Sequence, residues 1–136
     1  MNDSPRETLR KRPLITLTLQ SLDLSAEELQ ADAEALLPQL REIEGVEDLG
    51  LVALAEAPPN TKSMGGFVLG ALKFTIENSN ILKGLLGVGN AIVGNGKGVK
   101  LTVKAASGQE YSAEAKDLAE LEQIIQMAEA SLGRLE

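Results

Sequence analysis

The sequence predicts an α+β fold: a two-layer sandwich of a mixed four-stranded sheet with helices mainly on one face, in the order β-α-β-α(α)-β-β-α. Three observations predict it. "LITLTLQ" alternates apolar and polar residues strictly, the mark of a strand with one covered face. Two long segments, each opened by a cap residue and an acid three positions on, carry apolar stripes at helical spacing. "VKLTVKAASGQEYSAEA" reads as a hairpin, again with one polar face. Strands that are polar on one side need only one layer of helices, which is why two layers are expected.

Residues 1–12 read as a flexible basic tail and 13–136 as a single domain, the size that 136 residues allow. In the first strand Ile15, Leu17 and Leu19 share a face. Ser25 with Glu28 makes a capping box, and Leu29, Ala33, Leu36, Leu37, Leu40 and Ile43 form one stripe. Pro38 falls on the polar side of that stripe, so one kinked helix is expected, stopping at Gly45. "VEDLGLVAL" follows as a second strand with Leu49, Leu51 and Ala53 inward, and "EAPPNTKS" as a loop stiffened by Pro58 and Pro59.

Residues 65–96 hold eight of the chain's thirteen glycines and almost no aromatics. Lys73, Glu77 and Lys83 interrupt the stretch, and its longest charge-free run is Gly84 to Gly96, short of the ~20 apolar residues a membrane span needs. "GNGKG" is no phosphate loop, because Ala91 stands where the first glycine should be and Gly98 follows Lys97. A dinucleotide fingerprint fails at Ile92. Two helical pieces hinged at Asn78–Ser79–Asn80 are expected instead, the second with Ile81, Leu85, Val88 and Ile92 inward. Gly66/Gly70 and Gly87/Ala91 are small residues four apart, a spacing that admits a second backbone closely, from this chain's own core or from a partner.

The hairpin's register follows from its alternation. Val99, Leu101, Val103 and Ala105 share a face, as do Tyr111, Ala113 and Ala115, so the loop has an odd number of residues. A three-residue turn, Ala106–Ser107–Gly108 with Gly108 at positive φ, sets Val103 against Tyr111, Leu101 against Ala113, Lys104 against Glu110 and Lys100 against Glu114. Asp117 with Glu120 then starts a helix whose stripe is Leu118, Leu121, Ile125, Ala128 and Leu132.

Composition narrows the chemistry. With neither cysteine nor histidine, the chain lacks thiolate nucleophiles, sulfur-ligated metals and the side chain that titrates near neutrality. No catalytic residue, cofactor or metal is expected. Carboxylate pairs such as Glu27/Glu28 stand where helix starts favour negative charge. The net charge of −7 is uneven: residues 22–57 hold ten acidic and one basic residue, residues 58–104 six basic and one acidic. Acidic helical segments repel phosphates, so no nucleic acid is expected as partner. "MNDSPRETLRKRP" lacks the apolar core of a secretory signal, and a cytoplasmic setting is expected.

Taken together, "LITLTLQ", "LLPQLREIEGVEDLGLV", the "APPNTKS" loop, "GGFVLGAL" and the hairpin with "SGQEY" before a last acidic helix resemble, over about residues 13 to 132, the effector-associated constant component family of bacteria. The resemblance implies a small α+β protein shared among NTPase-centred conflict (immunity) systems and encoded beside variable effector modules such as proteases. It implies no catalytic residues. The expected role is a non-enzymatic adaptor acting through protein–protein contacts, with an effector, protease or NTPase encoded nearby as partner, or a second copy in a homo-oligomer. The contact region expected is Pro58, Pro59, Lys62, Gly66, Gly70, Gly87 and Ala91. The alternative is a membrane-active protein whose central segment, flanked by Lys73, Lys83 and Lys97, inserts into lipid.

Overall fold

The computed structural model describes residues 12–53, 63–64, 67–94 and 96–135. The elements run β1 (Leu14–Gln20), α1 (Ala26–Arg41), β2 (Val46–Ala53), β3 (Ser63–Met64), β4 (Phe67–Ile76), a 3-10 helix (Ser79–Val88), α2 (Gly89–Ile92), β5 (Gly98–Lys104), β6 (Glu110–Ala115) and α3 (Leu118–Leu135). The sheet has the order β2-β4-β1-β5-β6, with the short β3 paired to β4 off that path. Every neighbouring pair is antiparallel.

The α+β class therefore stands, while the expected mixed four-stranded sheet is corrected to an antiparallel sheet with five strands in its main path. The difference has one source. "FVLGALKFTI", expected to be helical, is β4. It lies between β1 and β2 and runs antiparallel to both, so the β1–α1–β2 crossover joins two like-directed strands one slot apart. An apolar run without clean alternation is ambiguous between a buried strand and a buried helix, and Gly70 hides the period here. At Gly70 φ is +77° and a Cβ would lie 3.2 Å from Leu29 Cβ, so the strand bends there against α1 in a conformation that suits glycine. The Gly70 N–H donates to Gln30 Oε1 at 2.7 Å.

Register defines the two faces. Phe74, Ile15, Val103 and Tyr111 form one cross-sheet row, and Leu51, Leu72, Leu17, Leu101 and Ala113 the next. Apart from Leu51, which is partly exposed on the edge strand, those rows pack against Ala33, Leu36 and Leu40 of α1, Leu82 and Leu85 of the 3-10 helix, and Leu121, Ile125, Ala128 and Leu132 of α3, in one continuous core. All these helical residues lie on the same side of the sheet. The capping box is present, with Glu28 N donating to Ser25 Oγ at 3.1 Å and Ser25 N to Glu28 Oε1 at 2.8 Å. Pro38 sits on the exposed side of an unbroken α1. That helix ends at Arg41, before Gly45, which occupies a turn at φ +94°. Asp117 caps α3 through Oδ1, 2.9 Å from Glu120 N.

The hairpin has the register derived from its alternation, pair for pair. Gly108 stands at φ +99°, and Ala105 exchanges backbone bonds with Gly108 and Gln109.

The segment after β4 departs from α-helical phase. It is a ten-residue 3-10 helix, opened by Asn78, whose side chain accepts from Asn80 N at 3.0 Å. Its buried positions, Leu82 and Leu85, are three apart, as that tighter helix requires. Ile81, expected inward, is partly buried against the core and fills the space left by Gly45, where a Cβ would lie 2.4 Å from Ile81 Cδ1. Reciprocally, Ile43 covers Gly84, whose added Cβ would lie 2.6 Å from Ile43 Cγ2. Two isoleucine-on-glycine contacts thus seat the 3-10 helix on the turn between α1 and β2.

Candidate functional site

The sheet face opposite the core carries no helix among the described residues. Its central rows read Thr75–Leu14–Lys104–Glu110, Lys73–Thr16–Thr102–Ser112 and Ala71–Thr18–Lys100–Glu114 from β4 to β6. Thr16, Thr18, Thr75 and Thr102 are partly exposed, whereas Lys100, Lys104 and Ser112 are exposed. Thr102 and Ser112 hydroxyls lie 3.2 Å apart. At the β2 edge Thr75 Oγ1 donates to Asp48 Oδ2 at 2.9 Å, and Arg12 pairs with Glu47. Asp48 has φ 54°, at a bulge where β2 gains one residue over β4. In one corner of this face Val52 and Ala71 are buried together, apart from the main core. The centre of this face is thus a set of hydroxyls and charges on the regularly paired strands β1, β5 and β6.

A second feature is an open groove of about 620 Å³ where β1 ends and β5 begins. Ser21, Leu22 and Asp23 line one side, the Gly94–Lys97 turn another, and Lys116 the rim. Ser21 organises it: its hydroxyl donates to Gly96 O at 2.8 Å and accepts from Asp23 N and Leu24 N. Gly94 and Lys97 exchange both backbone hydrogen bonds, closing the turn. Leu22 is fully exposed at the groove's edge.

Lys97 is the one charged residue buried among the described residues, and its Nζ lies 3.1 Å from Asp32 Oδ2 on α1. Nothing in the sequence marks this pair, since Asp32 lies off the apolar stripe and its partner is 65 residues away. The lysine side chain is 7% exposed and the aspartate 40%. Removing the aspartate strands a buried ammonium, whereas replacing the lysine with an apolar chain of similar length does not. Asp32→Ala is therefore expected to lower stability by about 1–3 kcal/mol, and Lys97→Met by less than about 1 kcal/mol. Urea denaturation of the two variants checks the asymmetry.

Of the contact residues expected from sequence, Pro58, Pro59, Lys62 and Gly66 lie outside the described residues. Gly70 is buried against α1 and engaged in the fold. Ala91 is partly buried and packs on the core. Of the three described, Gly87 alone stands exposed, with nothing within 4 Å of an added Cβ and no positive φ. Gly87→Ala is accordingly expected to raise stability by about 0.4–1 kcal/mol, by reducing the freedom of the unfolded chain. A thermal melt with a higher midpoint is the readout.

Tyr111, the only tyrosine, lies on the helix side of the edge strand β6. Partial burial pushes its phenol above the ordinary value. Its folded pKa being raised, the stability it contributes is fully present below the unfolded pKa and is lost as pH rises through the folded one. An absorbance titration of phenolate in the native protein should have its midpoint above that of free tyrosine.

Among the described residues no group of three His, Cys, Asp or Glu is placed to hold a metal ion, and no helix is long and apolar enough to cross a membrane. No family model, curated protein or solved structure matches this chain.

Proposed function

We propose that this protein is a non-enzymatic adaptor of a bacterial conflict system, joining an effector, protease or NTPase encoded nearby through protein–protein contacts in the cytoplasm. The observation that carries the reading is the sheet face opposite the core, centred on Thr16 and Thr102, which no described helix covers. Such a face presents a wide, preformed surface whose side chains project from paired strands, so little ordering cost attends docking. The resemblance of the chain's organisation to effector-associated constant components names the class of partner.

Affinity capture from the native host tests this, with three baits: the wild-type chain, Thr16→Arg in the middle of the open face, and Glu34→Arg on the exposed side of α1. The expected result is recovery of the product of a neighbouring reading frame by wild type and Glu34→Arg, and its loss with Thr16→Arg. Recovery of no such product by any bait overturns the adaptor reading. Equal recovery by all three overturns the assignment to this face.

A further inference from the structure

The two edges of the sheet are unlike. The β2 edge is broken by two register shifts against β4, the first of them the Asp48 bulge, features that discourage further pairing. The β6 edge is regular. Its six residues pair with β5 without a shift, and among the described residues β6 has no neighbour on its other side.

Ala105 N donates to Gln109 O at 2.8 Å, so Ala105 and Gln109 turn towards each other. Antiparallel pairs alternate, so Val103/Tyr111, Leu101/Ala113 and Val99/Ala115 are the bonded pairs. Glu110, Ser112 and Glu114 therefore point their N–H and C=O groups outward, away from β5. An added antiparallel strand must bond to these three.

A second copy of the chain offers the same three residues, and symmetry leaves few registers. Outward residues pair only with outward residues, which also puts both helix layers on the same side of the joined sheet. Setting Ser112 against the partner's Ser112 opposes Glu110 to the partner's Glu114 twice, like charges in direct opposition. Setting Glu110 against the partner's Ser112 runs Glu114 past the strand into the Gly108 turn. Setting Ser112 against the partner's Glu114 places a hydroxyl beside a carboxylate twice and Glu110 beside the partner's Lys116 twice. On the helix side, that register sets Ala113 against the partner's Ala113 and Tyr111 against the partner's Ala115, a large residue beside a small one. Lys116 N is taken by Glu120 Oε1 at 2.7 Å, so the ladder ends there and the lysine ammonium is what reaches Glu110.

We propose that the β6 edge is the seat of a symmetric homodimer, in which a second copy adds its β6 antiparallel with Ser112 opposite the partner's Glu114, making one continuous sheet. The ladder uses the outer backbone edge of β6, whose Glu110, Ser112 and Glu114 side chains border the open face, while the adaptor role is assigned to the centre of that face at Thr16 and Thr102; the oligomeric mass tests the first and partner capture the second.

Sedimentation equilibrium of the full chain, from micromolar to submillimolar concentration, tests it. The expected mass is twice the 14.4 kDa chain. Lys116→Glu turns two symmetry-related attractions into repulsions and should raise the dimer dissociation constant by about tenfold. The double variant Glu110→Lys/Lys116→Glu should restore it. Ser112→Pro removes an N–H that faces outward, leaves the β5 ladder bonded and should yield a monomer with native circular dichroism. A single-chain mass for wild type at every concentration overturns the proposal. So does a dimer indifferent to Lys116→Glu, or one that the double variant fails to restore.

Discussion

Phe74→Ala is expected to lower stability by about 3–5 kcal/mol, a large part of the ~5–15 kcal/mol that holds a domain of this kind together. Phe74 is 1% exposed and is the largest of the fully buried side chains. It lies on β4 directly opposite Ile15, in the row that continues to Val103. Truncation removes apolar area and leaves a cavity that three paired strands cannot collapse into, because their backbones are held by ladders on both sides. The same segment was expected to be a helix, and a series along it separates the two conformations. In the strand, Leu72 and Ile76 are buried with Phe74, whereas Lys73 and Thr75 face the open side. Alanine at 72, 74 and 76 should therefore cost several times more than alanine at 73 or 75. Thr75→Ala should lose about 1 kcal/mol through its bond to Asp48. Sensitivity repeating every third or fourth residue would contradict the strand. Urea denaturation, read as midpoints at constant slope, decides it.

Gly98→Ala is expected to cost about 2–3 kcal/mol, at the upper end of what one added carbon does to a packed site. A Cβ at residue 98 would lie 2.7 Å from the carbonyl oxygen of Ala115 and 3.4 Å from Lys116 Cα. Both obstacles are backbone, so no side-chain rotation relieves them. β5 and the end of β6 must separate, loosening the Val99–Ala115 pair. Gly50→Ala is the control, with nothing within 4 Å of its added carbon, and it should stay within about 0.5 kcal/mol of wild type. Amide exchange at Val99 and Ala115 should quicken in Gly98→Ala and remain unchanged in Gly50→Ala. Equal stability of the two variants would mean the strands do not approach as described.

The elements legible in the sequence are those whose own side chains record their surroundings. β1 and the β5–β6 hairpin alternate because one face meets the core and the other does not, and parity together with a three-residue turn ending at Gly108 set the register of the hairpin. α1 and α3 announce themselves by Ser25 with Glu28 and by Asp117 with Glu120, groups that bond within one turn of the chain. Such signals are local, and local geometry suffices to read them. The open face was half legible: the threonines of "LITLTLQ" pointed away from the core, but which strands flanked them did not follow. Of the contact residues expected, Gly70 proved to be an element of packing, and Gly87 is the one described residue that stands open.

What the chain by itself determined is thus an α+β domain with one covered sheet face, its two long helices and a hairpin in register. What only the tertiary structure decided is that "FVLGALKFTI" threads between β1 and β2 as a strand, that residues 79–88 wind as a 3-10 helix, and that Lys97 meets Asp32. The ion pair escaped because its partners are 65 residues apart, and the two backbone conformations because of glycine. A glycine records no periodicity, so its meaning depends on what approaches it through space. Ile81 on Gly45, Ile43 on Gly84, Leu29 on Gly70 and the Ala115 carbonyl on Gly98 are contacts between residues distant in the chain, and they fix the course of the glycine-rich middle.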